Sequence, residues 1–114
     1  KDAQAIAAAC HNYFFMEFTP GQGEPFRMLK KGDVWFTAVM LRGFIELYQV
    51  DGNKVYLDSF ARSLDYAWTH AREDNGLFNT DFTGKSRDNR KWLLTQAAMV
   101  EMYARLAVFA NQSL

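Results

Sequence analysis

Cysteine is nearly absent from this chain of 114 residues, and the lone Cys10 excludes an internal disulfide. Histidine is almost as scarce. With only His11 and His70 to join Cys10, no ligand set stands at zinc spacing, so a structural metal is not expected. Net charge is missing too: thirteen Lys and Arg balance thirteen Asp and Glu, which removes the sequence-independent attraction a polyanion needs and argues against nucleic acid as a partner. No apolar run approaches the roughly 18 residues of a membrane-spanning helix, because Arg42, Glu46, Arg62, Glu101 and Arg105 interrupt every candidate. The stretch Lys1 to Cys10 lacks the basic start and apolar run of a signal peptide. Strand-like alternation, low-complexity tracts and interdomain linkers are also lacking, so residues 1–114 read as a single unit.

What is present is apolar and aromatic. A hydrophobic share of 49% with 23% charged residues is that of an ordinary globular protein able to bury a core. Ten Phe, five Tyr and three Trp either fill that core or line an apolar cleft.

Periodicity predicts an all-α chain of two helical hairpins. The first helix runs from Asp2 to about Phe18, with Ile6, Cys10, Tyr13, Phe14 and Phe18 at helical spacing, and ends at Thr19-Pro20-Gly21. The second runs from about Val34 to Val50, between Asp33 as N-cap and Gly52 as stop, and is apolar almost all round. Asn53 caps a third, amphipathic helix through Leu57, Phe60, Leu64 and Trp68. A fourth, from about Arg90 to Ala110, is again broadly apolar. Amphipathic helices thus alternate with apolar ones, as a ring of outer and inner helices requires. Both outer-to-inner connections, Thr19 to Gly32 and Asp74 to Asn89, are long, and antiparallel packing brings them to one end. Long loops on a rigid scaffold are where function usually sits.

The series Asn75-Gly76-Leu77-Phe78-Asn79-Thr80-Asp81-Phe82-Thr83-Gly84, followed by Lys91-Trp92-Leu93-Leu94-Thr95-Gln96-Ala97-Ala98, resembles the C-terminal region of glycoside hydrolase family 76. Lys31-Gly32, Arg42 and Tyr56-Leu57 look like the family's preceding hairpin, so the resemblance covers essentially the whole chain. It implies about one third of an (α/α)6 toroid, from an α-1,6-mannanase that needs no cofactor, works with retention and is exported to the periplasm, cell surface or medium. Two departures stand out: Phe82 replaces the usual Trp, and Asp33-Val34-Trp35 follows Lys31-Gly32 where an apolar pair is commoner. The family's adjacent Asp-Asp pair is missing. Hydrolysis of a glycoside needs two positioned carboxylates, so no catalytic residue is expected here, and the chain reads as a cleft wall from a longer enzyme. The alternative is a non-catalytic helical module that binds carbohydrate or protein.

Candidate substrate contacts follow from the resemblance and the loops together. Asp81 and Phe82 sit in a polar, glycine-bounded loop; a turn bond within the loop is the competing role for Asp81. Asp33 and Asp88 can meet sugar hydroxyls but also sit where helix N-caps belong, and Trp35 and Trp92 can stack on sugar or enter the core. Lys31 and Arg90 can reach a polysaccharide substrate or remain solvated loop charges. Gln96 and Glu101 face a lumen or pair with Arg42 and Arg105, and both histidines read as surface residues. An excised wall would expose apolar faces on the first and fourth helices, around Phe14, Phe15, Leu106 and Phe109, and would tend to self-associate.

Overall fold

The computed structural model describes residues 2–21 and 23–112, with side chains described up to Val108. Its order is α1 (Asp2–Phe14), β1 (Phe15–Phe18), β2 (Phe26–Leu29), α2 (Val34–Asp51), α3 (Val55–His70) and α4 (Leu93–Gln112). The four expected helices are all there. Two boundaries and one element differ from the sequence reading.

The first helix stops at Phe14 because the next four residues leave it to form β1, antiparallel to β2 with Phe15 opposite Leu29 and Phe18 opposite Phe26. Arg27 on β2 explains the break. Its guanidinium donates to the carbonyls of His11 (3.0 Å), Asn12 (3.3 Å) and Phe15 (2.9 Å), meeting acceptors that a helix end leaves unpaired and placing a cation at its negative pole. Ser63 of α3 then joins the hairpin to the helical layer: its buried hydroxyl accepts from the Leu29 N–H (3.1 Å) and donates to the Arg27 carbonyl (3.2 Å).

Gly52 ends α2 as expected, at φ 71° with its N–H on the Tyr48 carbonyl. Asn53 receives the Val55 N–H on its side-chain oxygen (3.0 Å), although Lys54 holds the N-cap position of α3. The fourth helix begins at Leu93, three residues later than the periodicity suggests.

The core lies where α2, α3, α4 and the hairpin meet. Phe60 is fully buried and takes Phe15 and Phe44 edge-on at 5.4 and 5.6 Å. Leu41, Leu64, Met28, Met99 and Met102 close around them. Arg42 of α2 grips Glu101 of α4 through two hydrogen bonds (2.6 and 2.7 Å), and Arg105 adds a third at 2.9 Å. Glu101 therefore pairs with both arginines, and these bonds, led by the one from Arg42, hold its carboxyl down at about 2.

The outward side of α4 is largely apolar and bare, while that of α2 mixes exposed apolar residues with Arg42, Glu46 and Gln49. Phe36, Val39 and Val50 on α2 and Leu93, Val100 and Val108 on α4 are exposed, as are Ile6 and Tyr13 on the first helix and strand approach. Phe15, expected on such a face, is instead in the core, and the Phe109 side chain lies outside the described residues. Gly43 sits mid-helix on the exposed side of α2, and a Cβ there would meet nothing within 4 Å.

Candidate functional site

The two long connections do converge, beside the N-termini of α2 and α4. The second connection is braced from within. Glu73 draws in Lys91 (2.9 Å) and Arg87 (3.5 Å), and the hydrogen bond from Lys91 is the main reason its carboxyl lies below the usual range. Asn79, buried, donates to the Ala71 carbonyl (3.1 Å) and accepts the Asp88 N–H (2.9 Å). Gln96 reaches back from α4 and bonds both the N–H (2.7 Å) and the carbonyl (2.8 Å) of Phe78. At Gly84, φ is 78° and an added Cβ would fall 2.2 Å from the His70 carbonyl oxygen, so the loop touches the end of α3 where only glycine fits.

This frame encloses a cavity of about 590 Å³ lined by Asp33, Trp35, Arg90 and Trp92, with Asp88 and Gln96 in its wall. Several of its charges are already committed. Asp88 receives the Thr80 N–H (2.6 Å) and hydroxyl (3.0 Å), so it organises the loop and caps no helix. Asp33 does occupy the N-cap position of α2, yet only its carbonyl serves there, accepting from Phe36 (3.1 Å) and Thr37 (3.2 Å); its carboxylate makes no cap bond. Arg90 makes no hydrogen bond or ion pair among the described residues. Trp35 and Trp92 are 47% and 65% exposed. One unspent carboxylate, one unspent guanidinium and two bare indoles thus share a cavity mouth. Charged groups of this kind fix hydroxyl pairs, and indole faces take the apolar side of a ring.

Two expected contacts have other tasks. Phe82 is 3% exposed and belongs to the core, because its loop folds back on α3 at Gly84. Asp81 lies off the cavity wall and closes its own loop, accepting from the backbone and hydroxyl of Thr83 (3.0 and 2.6 Å) and of Ser86 (3.1 and 3.0 Å). Burial alone would raise its carboxyl, but these four bonds outweigh burial and lower it. Lys31 is exposed, 3.5 Å from the Ser86 hydroxyl, and does not line this cavity. The bracing was not legible in the sequence: Glu73 stands outside every motif and helical stripe, and Asn79, though inside the Gly-Leu-Phe series, shows nothing there of its bonds to Ala71 and Asp88.

Among the described residues no cluster of His, Cys, Asp and Glu could hold a metal ion, and no helix is long and apolar enough to cross a membrane. The cavity lining carries two carboxylates, Asp33 and Asp88, of which Asp88 is bonded to Thr80.

No protein-family model matches the chain, and no curated protein matches it. Solved structures do. A family 76 glycoside hydrolase from a bovine Bacteroides thetaiotaomicron strain is 36% identical with a TM-score of 0.89, over 94% of this chain and 23% of that one. A family 76 glycoside hydrolase described as a mannosidase, from Bacteroides thetaiotaomicron VPI-5482, is also 36% identical, with a TM-score of 0.90 over 99% of this chain and 31% of that one. The present chain therefore spans less than a third of either, and its four helices match a portion of their helical toroid.

Proposed function

Because the chain belongs to glycoside hydrolase family 76, as a portion of its fold, we propose that it forms one wall of the substrate cleft in an enzyme acting on α-1,6-linked mannan, as the C-terminal part of a longer catalytic domain. The observation that carries this reading is the cavity mouth with Trp92, Trp35, Arg90 and Asp33 all free for a ligand, at the end of the scaffold where both long loops gather. Asp33, Arg90 and Trp35 contact the polysaccharide, joined by Trp92. The carboxylate pair that cleaves the bond comes from outside these residues, and the working enzyme is exported.

The bare apolar flank of α4, with Leu93, Leu94, Val100 and Val108 exposed, favours a wall over a free-standing binding module, which would carry polar residues there. The test is a comparison of α-1,6-mannan hydrolysis by the parent enzyme and by its Trp92→Ala and Arg90→Ala variants. Each substitution should raise KM about tenfold at unchanged thermal midpoint, while the 114-residue chain binds mannan without cleaving it. Unaltered kinetics in both variants, with no mannan binding by the chain, would overturn the proposal.

A further inference from the structure

Trp35 and Asp33 do not line one cavity only. A second cavity of about 350 Å³ lies between the start of α2 and the junction of α1 with β1, where Trp35 and Asp33 are joined by Tyr13, Lys30, Lys31 and Phe36. Both volumes fall in the roughly 300–1,000 Å³ range of small-molecule pockets. Trp35 thus borders both spaces. Its ring meets Phe36 edge-on at 6.1 Å, and 47% of the residue is exposed. Asp33 at its foot, with its carboxylate unspent, borders the same two spaces.

The second cavity repeats the chemistry of the first. Tyr13, 63% exposed, offers a ring face, and the Lys30 ammonium stands 5.4 Å from that ring's centre. Each side therefore presents an aromatic plate, a cation and a share of the Asp33 carboxylate. An indole has two faces and a carboxylate two oxygens, so one Trp and one Asp can serve two adjoining sugar units.

We propose that Trp35 is the shared wall of two consecutive sugar subsites, and that this face takes an oligosaccharide long enough to cross it, with Tyr13 and Lys30 holding the units beyond Trp35. This rests on the cleft reading above and deepens it, since it makes chain length part of recognition.

The experiment titrates the purified 114-residue chain with α-1,6-linked mannose oligomers, from the monosaccharide to the hexasaccharide, by calorimetry. Affinity should rise by about tenfold or more once the ligand spans both sides. Tyr13→Ala should remove that gain while leaving the affinity for the shortest ligands that bind unchanged. Trp35→Ala should weaken all lengths and flatten the series, and Trp35→Phe should restore part of it. Circular dichroism melts confirm that each variant remains folded. Binding that shows no dependence on length, or a length dependence untouched in Tyr13→Ala and Trp35→Ala, would overturn the shared-wall proposal while sparing the cleft. Absence of binding at every length would sink both.

Discussion

Asp81 accepts four hydrogen bonds without leaving its loop, so its carboxylate shapes the chain's own backbone. Asp81→Ala should lower stability by about 1–3 kcal/mol through the lost bonds, measured as a shift in urea midpoint. An unchanged midpoint would show the loop to be held by something else. A spaced motif can display an acidic residue beside an aromatic one, but not which way a loop folds back; the fold-back buries Phe82 and, of the two roles open to Asp81, gives it the turn. His11 taught the same lesson, since it is half-buried and 2.8 Å from the Ser59 hydroxyl, not a bare surface residue. Burial first, and the Arg27 charge second, hold its pKa below 6.5. The unfolded chain then binds the proton more readily, so the contribution is present above pH 6.5 and is lost as pH falls below it. The thermal midpoint of the wild type should accordingly drop from pH 7.5 to about pH 5.5 more than that of His11→Gln.

At the level of elements, helix periodicity identified four helices because each buries a stripe spaced for it. The β1 and β2 pair escaped notice because nothing local separates Phe15-Met16-Glu17-Phe18 from a last helical turn. It becomes a strand only through partners beyond helical reach, the β2 residues Phe26 to Leu29 that pair with it and the Arg27 guanidinium on the Phe15 carbonyl, with Ser63 holding β2 in place. The coupling of α2 to α4 has its own signature in acid. Glu101 ionises at about 2 in the folded chain against an ordinary 4.5, so the clamp stabilises above pH 4.5 and fails as pH falls toward 2. Arg42→Met should reduce the acid-induced loss of stability over that interval, followed by far-ultraviolet circular dichroism. Equal slopes for variant and wild type would mean that the clamp contributes nothing. Gly84→Ala, which forces a carbonyl and a methyl together, should cost more than about 1 kcal/mol and loosen the loop against α3.

For the whole molecule, the alternation of amphipathic and apolar helices was enough to indicate inner and outer layers, and the resemblance in the Gly-Leu-Phe loop and the helix after it indicated the family. Asp33, Trp35, Arg90 and Trp92 of the cavity stood out as candidates in the sequence; which charges stay free was not legible, since it depends on what the folded loop has already consumed. With Leu93, Val100 and Val108 bare on one flank and Phe36, Val39 and Val50 on the other, the isolated chain should associate as its concentration rises, and Val100→Glu should shift it toward monomer in sedimentation velocity. A strictly monomeric wild type would count against exposed flanks in solution.

Gly43 carries that idea to a single position. Alanine there would make α2 a better helix by about 1 kcal/mol, and no described neighbour would object. Gly43 opens onto a small space shared with Ala3 and Gln4 of α1 and with Glu46, Leu47 and Val50; lacking a side chain, it leaves room there for another backbone to come close. Gly43→Ala thus sets local order against assembly: it should raise the melting temperature of the isolated chain and lower that of the parent enzyme.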